Sequence, residues 1–224
     1  MSALAEDLLL LLLDDESGRP VVDGTAVDLA LGGAQFVDAV AAGRVAPSDG
    51  DRFGVRDGSP TGDTVLDAAV RRLTSKSPFT AQRAVELLAK GTRDALLERL
   101  ADAGEVRREQ HRVLGVFPRT SWPAAAGERE ARVRARLAEA LTGGRAPDPH
   151  VAALIVLLDA IGALPKVVPG DPKALAARAT EIGEGDGVGE AVRKALRDVR
   201  AAMYAAIAAG GVSAAVTGGF AGST

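Results

Sequence analysis

Ser59-Pro60-Thr61-Gly62-Asp63-Thr64-Val65-Leu66-Asp67 reads as a turn that starts a helix. Pro60 fixes φ, Gly62 relaxes the backbone, and Asp63 is placed to accept hydrogen bonds from the exposed amides of a first helical turn. Beyond it, Val65, Leu66, Ala69, Val70 and Leu73 recur at helical spacing. The same alternation of polar turn and apolar helix continues on both sides, so the chain reads as a mainly α domain with small β-hairpins.

Working toward the N-terminus, a helix is expected over residues 3–13, closed by the polar run Asp14-Asp15-Glu16-Ser17-Gly18. A second is expected over 25–42, with Leu29, Leu31, Phe36, Val37 and Val40 on its apolar side and Gly43 as its C-cap. Gly32-Gly33 in its middle weakens the helix but lets a neighbour pack closely. Val45 and Phe53-Gly54-Val55 flank a turn-rich segment and read as a small hairpin.

Working toward the C-terminus, helices are expected over 81–90 and 93–103, broken at Gly91-Thr92, with Thr92 capping the second. Residues 106–117 read as two strands with a turn near Glu109-Gln110, and Val113 to Phe117 reads as one compact apolar strand. Pro118 and Pro123 bracket an irregular stretch around Trp122. Further helices are expected over 128–141, 150–164, 172–182 and 188–209. The reading is one domain over 1–209, followed by a Gly/Ser/Thr-rich tail over 210–224 that lacks a packing face.

Composition bounds the function. The 224 residues can bury a substantial core, and 47% hydrophobic with 25% charged residues is ordinary for a globular protein. Aromatics make up only 3%, so the core must come from Leu, Val and Ala, which favours helices. Without Cys there are no disulfides or thiolate metal sites, in keeping with a reducing, cytoplasmic setting. Asn is also missing and Arg far outnumbers Lys, which points to a GC-rich, bacterial genome. A formal charge of −3 gives no global pull toward nucleic acid or anionic lipid, so any such binding needs a local patch. The Leu8 to Leu13 run is too short to span a bilayer and follows Glu6 and Asp7 rather than a basic start, so membrane contact would be peripheral.

Lys90-Gly91-Thr92-Arg93 is the best candidate for ligand chemistry. Two cations flank a helix start, whose amides and dipole attract anions such as phosphate. The bland alternative has Lys90 offsetting the end of one helix while Arg93 is solvated. A rival reading takes the helix and ribbon over 93–117, with Arg107, Arg108, Arg112 and Arg119, as a winged helix-turn-helix. Asp94, Glu98 and Asp102 on its helix would repel a phosphate backbone, so nucleic acid is not expected as a partner. Arg71 and Arg72 read as solvated, and Arg129, Arg132, Arg134 and Arg136 as ordinary i,i+4 partners of acids on their own helix. His111 and His150 read as free and exposed. No catalytic triad order, Walker loop, dinucleotide fingerprint or metal-ligand spacing is present, so no enzyme activity, cofactor or metal is expected.

The Ser59–Asp67 box, the acid-plus-leucine helix from Glu6, Leu31-Gly32-Gly33 and Ala41-Ala42-Gly43-Arg44-Val45 together resemble the Golgi phosphoprotein 3 family. The resemblance runs from about Leu4 to Ala209. It implies a non-enzymatic peripheral membrane protein that binds phosphatidylinositol 4-phosphate. Eukaryotic members form that pocket with a Trp and three Arg. By resemblance, the Trp position falls near Val22 and one Arg position on Leu31, while the remaining pair falls on Lys90 and Arg93. The family hairpin corresponds to about 109–120, where Val113, Leu114 and Phe117 would supply an apolar edge for a membrane surface or a homo-oligomer. An interaction module that kept the fold and lost lipid recognition is the alternative.

Overall fold

The computed structural model describes residues 4–113, 117–125, 127–143, 146–185 and 189–209; for 111–113 and 117–119 it describes the backbone alone. Leu114, the 210–224 tail, Ala3 and Val188 therefore lie outside the described residues. No described helix is long and apolar enough to cross a membrane.

Among the described residues, ten helices and five short strands follow one another. They are α1 (Leu4–Leu11), α2 (Gly24–Ala41), β1 (Val45–Pro47), β2 (Arg52–Val55), α3 (Thr64–Thr74), β3 (Phe79–Thr80), α4 (Ala81–Ala89) and α5 (Thr92–Asp102). Then come β4 (Glu109–Val113), β5 (Phe117–Ser121), α6 (Glu128–Thr142), α7 (Pro149–Ala160), α8 (Leu164–Val167), α9 (Pro172–Glu184) and α10 (Glu190–Ala209). The expected mainly α fold with small hairpins is the one formed.

Helix α2 is the central rod, packed against α1, α4, α7 and α10. The glycine pair explains how so many neighbours reach it. A Cβ on Gly32 would stand 2.5 Å from the Val85 carbonyl oxygen and 2.8 Å from the Ala89 nitrogen, so α4 backbone lies directly on α2. A Cβ on Gly33 would meet the Val199 and Leu157 side chains instead, at 2.7 and 3.3 Å. Helix α1 is buried along its whole length, Glu6 and Asp7 included. Burying two carboxylates in a leucine helix is costly unless cations meet them there.

The first hairpin is a three-stranded antiparallel sheet, because β3 adds to β2 through Phe53↔Phe79. Phe36 of α2 meets Phe53 and Phe79 edge-to-face, with ring centroids 4.9 and 6.1 Å away, which fastens the sheet to the rod. The two-residue β3 is too short to register as an alternating pattern.

The second hairpin pairs Glu109↔Ser121 through Val113↔Phe117. Glu109 and Gln110 therefore lie within β4 rather than at a turn, and Val113 and Phe117 stand on opposite strands rather than on one; residues 114–116 lie outside the described residues. Pro118 sits inside β5 opposite Arg112, on a two-stranded ribbon where a missing amide is tolerated. The hairpin follows the 109–120 span implied by resemblance. The helix expected over 150–164 ends at Ala160; Gly162 takes φ 65° and a separate short α8 follows.

Candidate functional site

The α4–α5 connection brings the predicted cations to one junction. Lys90 follows the last turn of α4 with extended backbone, and its side chain is exposed. Arg72, expected to be merely solvated, donates from Nη1 to the Lys90 carbonyl oxygen at 2.8 Å, tying α3 to the junction. Gly91 then takes φ 72°, a left-handed turn open to glycine, and is itself the N-cap of α5. Thr92 is not the cap. It is buried, and its hydroxyl donates back to the Leu88 carbonyl. The first turn of α5 is left without a side-chain cap. Uncapped amides at the start of an eleven-residue helix are the kind of group that accepts an anion.

Arg93 is neither solvated nor free. Its Nη2 donates to the Gly24 carbonyl and lies 2.7 Å from Asp28 Oδ1, both at the start of α2. Burial pushes the Asp28 carboxyl up, Arg93 pulls it back, and it ends above its ordinary value. Asp28 is a residue that sequence reasoning missed, because nothing in its local pattern pairs it with a position on another helix. Of the positions implied by resemblance, Val22 is half-buried close in sequence to Gly24, whereas Leu31 is fully buried in the core.

The Ser59–Asp67 box works as a joint. Asp63 caps α3, its Oδ1 accepting from the Val65 and Leu66 amides at 3.0 and 3.1 Å. Asp67 reaches back to accept from both the amide and the hydroxyl of Thr61 at 2.7 Å, closing the loop onto the helix it begins. Arg99 of α5 grips Asp63 with two parallel bonds and places Nε 2.7 Å from buried Glu6 Oε1. Arg129 of α6 meets Glu6 Oε2 at 2.8 Å and Asp7 Oδ1 at 2.7 Å. His150 of α7, expected to be free, sits 2.7 Å from Asp7 Oδ2. Burial pushes Asp7 upward, but the bonds to His150 and Arg129 outweigh it and hold the carboxyl below its usual range. One chain of charges thus links α3, α5, α1, α6 and α7.

The arginines of α6 divide their roles. Arg132 and Arg134 pair with Glu128 and Glu130 at i,i+4 as expected. Arg129 leaves the helix for α1, and Arg136 reaches Asp148 at 2.5 Å. On the ribbon, Arg108 is 3.0 Å from Glu98 and Arg107 is 3.5 Å from Glu109. Val113 and Phe117 close the described part of the hairpin as a backbone pair.

Compared with curated proteins, the chain has no significant match. The family model described as Golgi phosphoprotein 3 matches residues 4–199, from the buried acidic helix α1 into α10, and the chain therefore belongs to the Golgi phosphoprotein 3 family.

Proposed function

We propose that the protein is a non-enzymatic, peripheral membrane protein that recognises an anionic lipid headgroup, phosphatidylinositol 4-phosphate-like in its chemistry, at the α4–α5 junction. The observation that carries this reading is the exposed Lys90 beside an uncapped α5 start, with Arg93 two residues into that helix. A phosphate there takes first-turn amides and Lys90, and draws Arg93 away from Asp28. Charge-assisted bonds of this kind are the strong ones in headgroup recognition. The hairpin around Val113, Leu114 and Phe117 supplies an apolar edge for the bilayer or for a second copy of the chain.

The Arg93–Asp28 pair favours one second reading, an interaction module without lipid recognition, since the carboxylate already holds the guanidinium. Vesicle sedimentation separates the two. Wild type is expected to pellet with vesicles carrying phosphatidylinositol 4-phosphate and to stay behind with phosphatidylcholine alone. Lys90→Ala/Arg93→Ala loses about ten-fold in apparent affinity, in line with the removal of charged phosphate contacts. Asp28→Asn, which frees Arg93, binds more tightly. Indifference of wild type to every anionic vesicle, or equal binding by the double variant, leaves the interaction module standing. Unchanged size-exclusion elution of Leu114→Asp would remove the hairpin-mediated assembly.

A further inference from the structure

Between the end of α2 and the Ser59–Asp67 box lies a cavity of 580 Å³, the size of a small-molecule site. It is separate from the α4–α5 junction: Lys90 and Arg93 do not line it, whereas Asp38, Arg44, Asp63 and Arg99 do. Ala41, Ala42 and Leu66 form its apolar wall.

Asp38 is the group in this cavity whose electrostatics are unresolved. Its Oδ1 accepts from the Leu4 amide at 3.3 Å, at the start of α1. Its Oδ2 is buried and has no hydrogen-bond partner among the described residues. The two arginines on the cavity wall already hold carboxylates, although the buried Arg44 Nε has no hydrogen-bond partner among the described residues. Arg99 is held by Asp63 and Glu6, and Arg44 by Asp57 and by Ser59 Oγ at 2.9 Å. The acid also occupies the last turn of α2, which contains no basic residue. A helix C-terminus carries partial negative charge and favours cations, so a carboxylate there is in the wrong field. Burial pushes the Asp38 carboxyl up to about 7, the response of an acid that lacks a counter-ion.

The other helix end at the cavity does not reverse this polarity. The α3 start would attract anions, but Asp63 already occupies its Val65 and Leu66 amides and adds a negative charge. An anionic ligand would meet the carboxylates of Asp38 and Asp63, with both lining arginines already shared with acids. A cation would satisfy Asp38 and suit the end of α2.

We propose that this cavity binds the ammonium group of a small organic amine, with Asp38 as its counter-ion and the Ala41–Ala42–Leu66 wall against its short carbon chain. An ammonium offers three donors and a full positive charge, which suit the Asp38 carboxylate on the cavity lining. The amine is either a free metabolite or the ethanolamine headgroup of a phospholipid, and the two sources present the same chemistry to Asp38.

The test is a titration of the full chain with ethanolamine, followed by calorimetry and ligand-observed NMR, at about pH 8, where Asp38 is ionised. Wild type is expected to bind ethanolamine and to ignore ethylene glycol, its uncharged analogue. Asp38→Asn keeps the shape and the acceptor for the Leu4 amide, and is expected to bind about ten-fold more weakly or worse, as loss of a charge-assisted bond requires. Binding weakens as pH falls through about 7 and Asp38 takes a proton. His150 and Asp63 are the charged groups that act on its titration, and Arg44 and Arg99 share its cavity. Lys90→Ala/Arg93→Ala binds ethanolamine like wild type, which keeps this site distinct from the junction. Vesicles containing phosphatidylethanolamine separate the sources: capture that depends on Asp38 assigns the headgroup, and capture of soluble ethanolamine alone assigns the free amine. If neither probe binds wild type, if ethylene glycol binds as well, or if Asp38→Asn binds equally, the proposal is overturned.

Discussion

Arg99 holds Asp63 in a fork, Nη1 on Oδ1 at 2.7 Å and Nη2 on Oδ2 at 2.9 Å. This geometry joins two jobs on one carboxylate. Asp63 caps α3 from inside its own loop, and the same side chain is clamped by α5 from the outside. Because Arg99 also faces Glu6, the helix start in the Ser59–Asp67 box is tied to a carboxylate at the centre of the molecule. The hydrogen bonds from Arg99 hold the Asp63 carboxyl below its usual range, against a smaller opposing push from burial.

Replacing Arg99 with Met preserves much of its length while removing its charge. Glu6 would remain buried with Arg129 as its only ion-pair partner among those described, and Asp63 would lose its clamp. Breaking one side of such a buried network costs about 2–4 kcal/mol. Urea unfolding should register a clear drop in midpoint for Arg99→Met. An unchanged midpoint would show that the fork is ornamental to stability.

Much of this fold was legible because its devices are local. Asp63 as N-cap, the apolar stripe of α3, the glycine pair of α2 and the Gly91 break all announce themselves within a few residues. What was hidden depends on partners far away in the chain. Nothing near His150 marks it as a neighbour of Asp7, and nothing near Arg93 marks Asp28. Thr92 misled for a different reason. A Thr after a Gly resembles a cap, but the left-handed Gly91 takes that position and turns the hydroxyl back to Leu88. The cations of the junction were therefore visible in the sequence, while the carboxylate that pairs with Arg93 was not.

Asp67 closes the box onto its own helix, so Asp67→Ala should loosen Thr61 without touching the Arg99 clamp. Both hydrogen bonds from Thr61 are lost, and a modest drop in melting temperature is expected. Asp67→Asn retains an acceptor oxygen and should recover part of the loss. Thermal unfolding of the pair checks this: equal damage from both variants would mean that charge, not acceptance from Thr61, is what the position requires.

Gly32→Ala and Gly33→Ala differ by one residue and should differ widely in effect. At Gly32 the added methyl meets α4 backbone, which can yield only by moving the helix. Overpacking of that kind costs about 1–3 kcal/mol and occasionally more. At Gly33 it meets buried Val199 and Leu157 side chains, which give way at less cost than helix backbone does. A melting comparison in which Gly33→Ala is the more damaging of the two would contradict the close α2–α4 approach.

Stability should respond to pH through Asp38 in a direction opposite to that of the paired acids. The Asp38 carboxyl lies at about 7 when folded against an ordinary value of 3.8. Between those values the folded state holds the extra proton, so this group's contribution is present at the acid end and is lost as pH rises through about 7. Asp38→Asn has no such proton. Its stability relative to wild type should climb from about pH 4 to about pH 7, by a total on the order of 3–4 kcal/mol if the whole shift is realised. Asp7 and Asp63, whose carboxyls are depressed, contribute stability above about pH 4 that is lost as pH falls through their folded values. That loss is common to both proteins and cancels in the comparison. Urea titrations at several pH values would give parallel stability curves for wild type and Asp38→Asn if the acid were already neutralised by a counter-ion, and diverging curves if it stands alone.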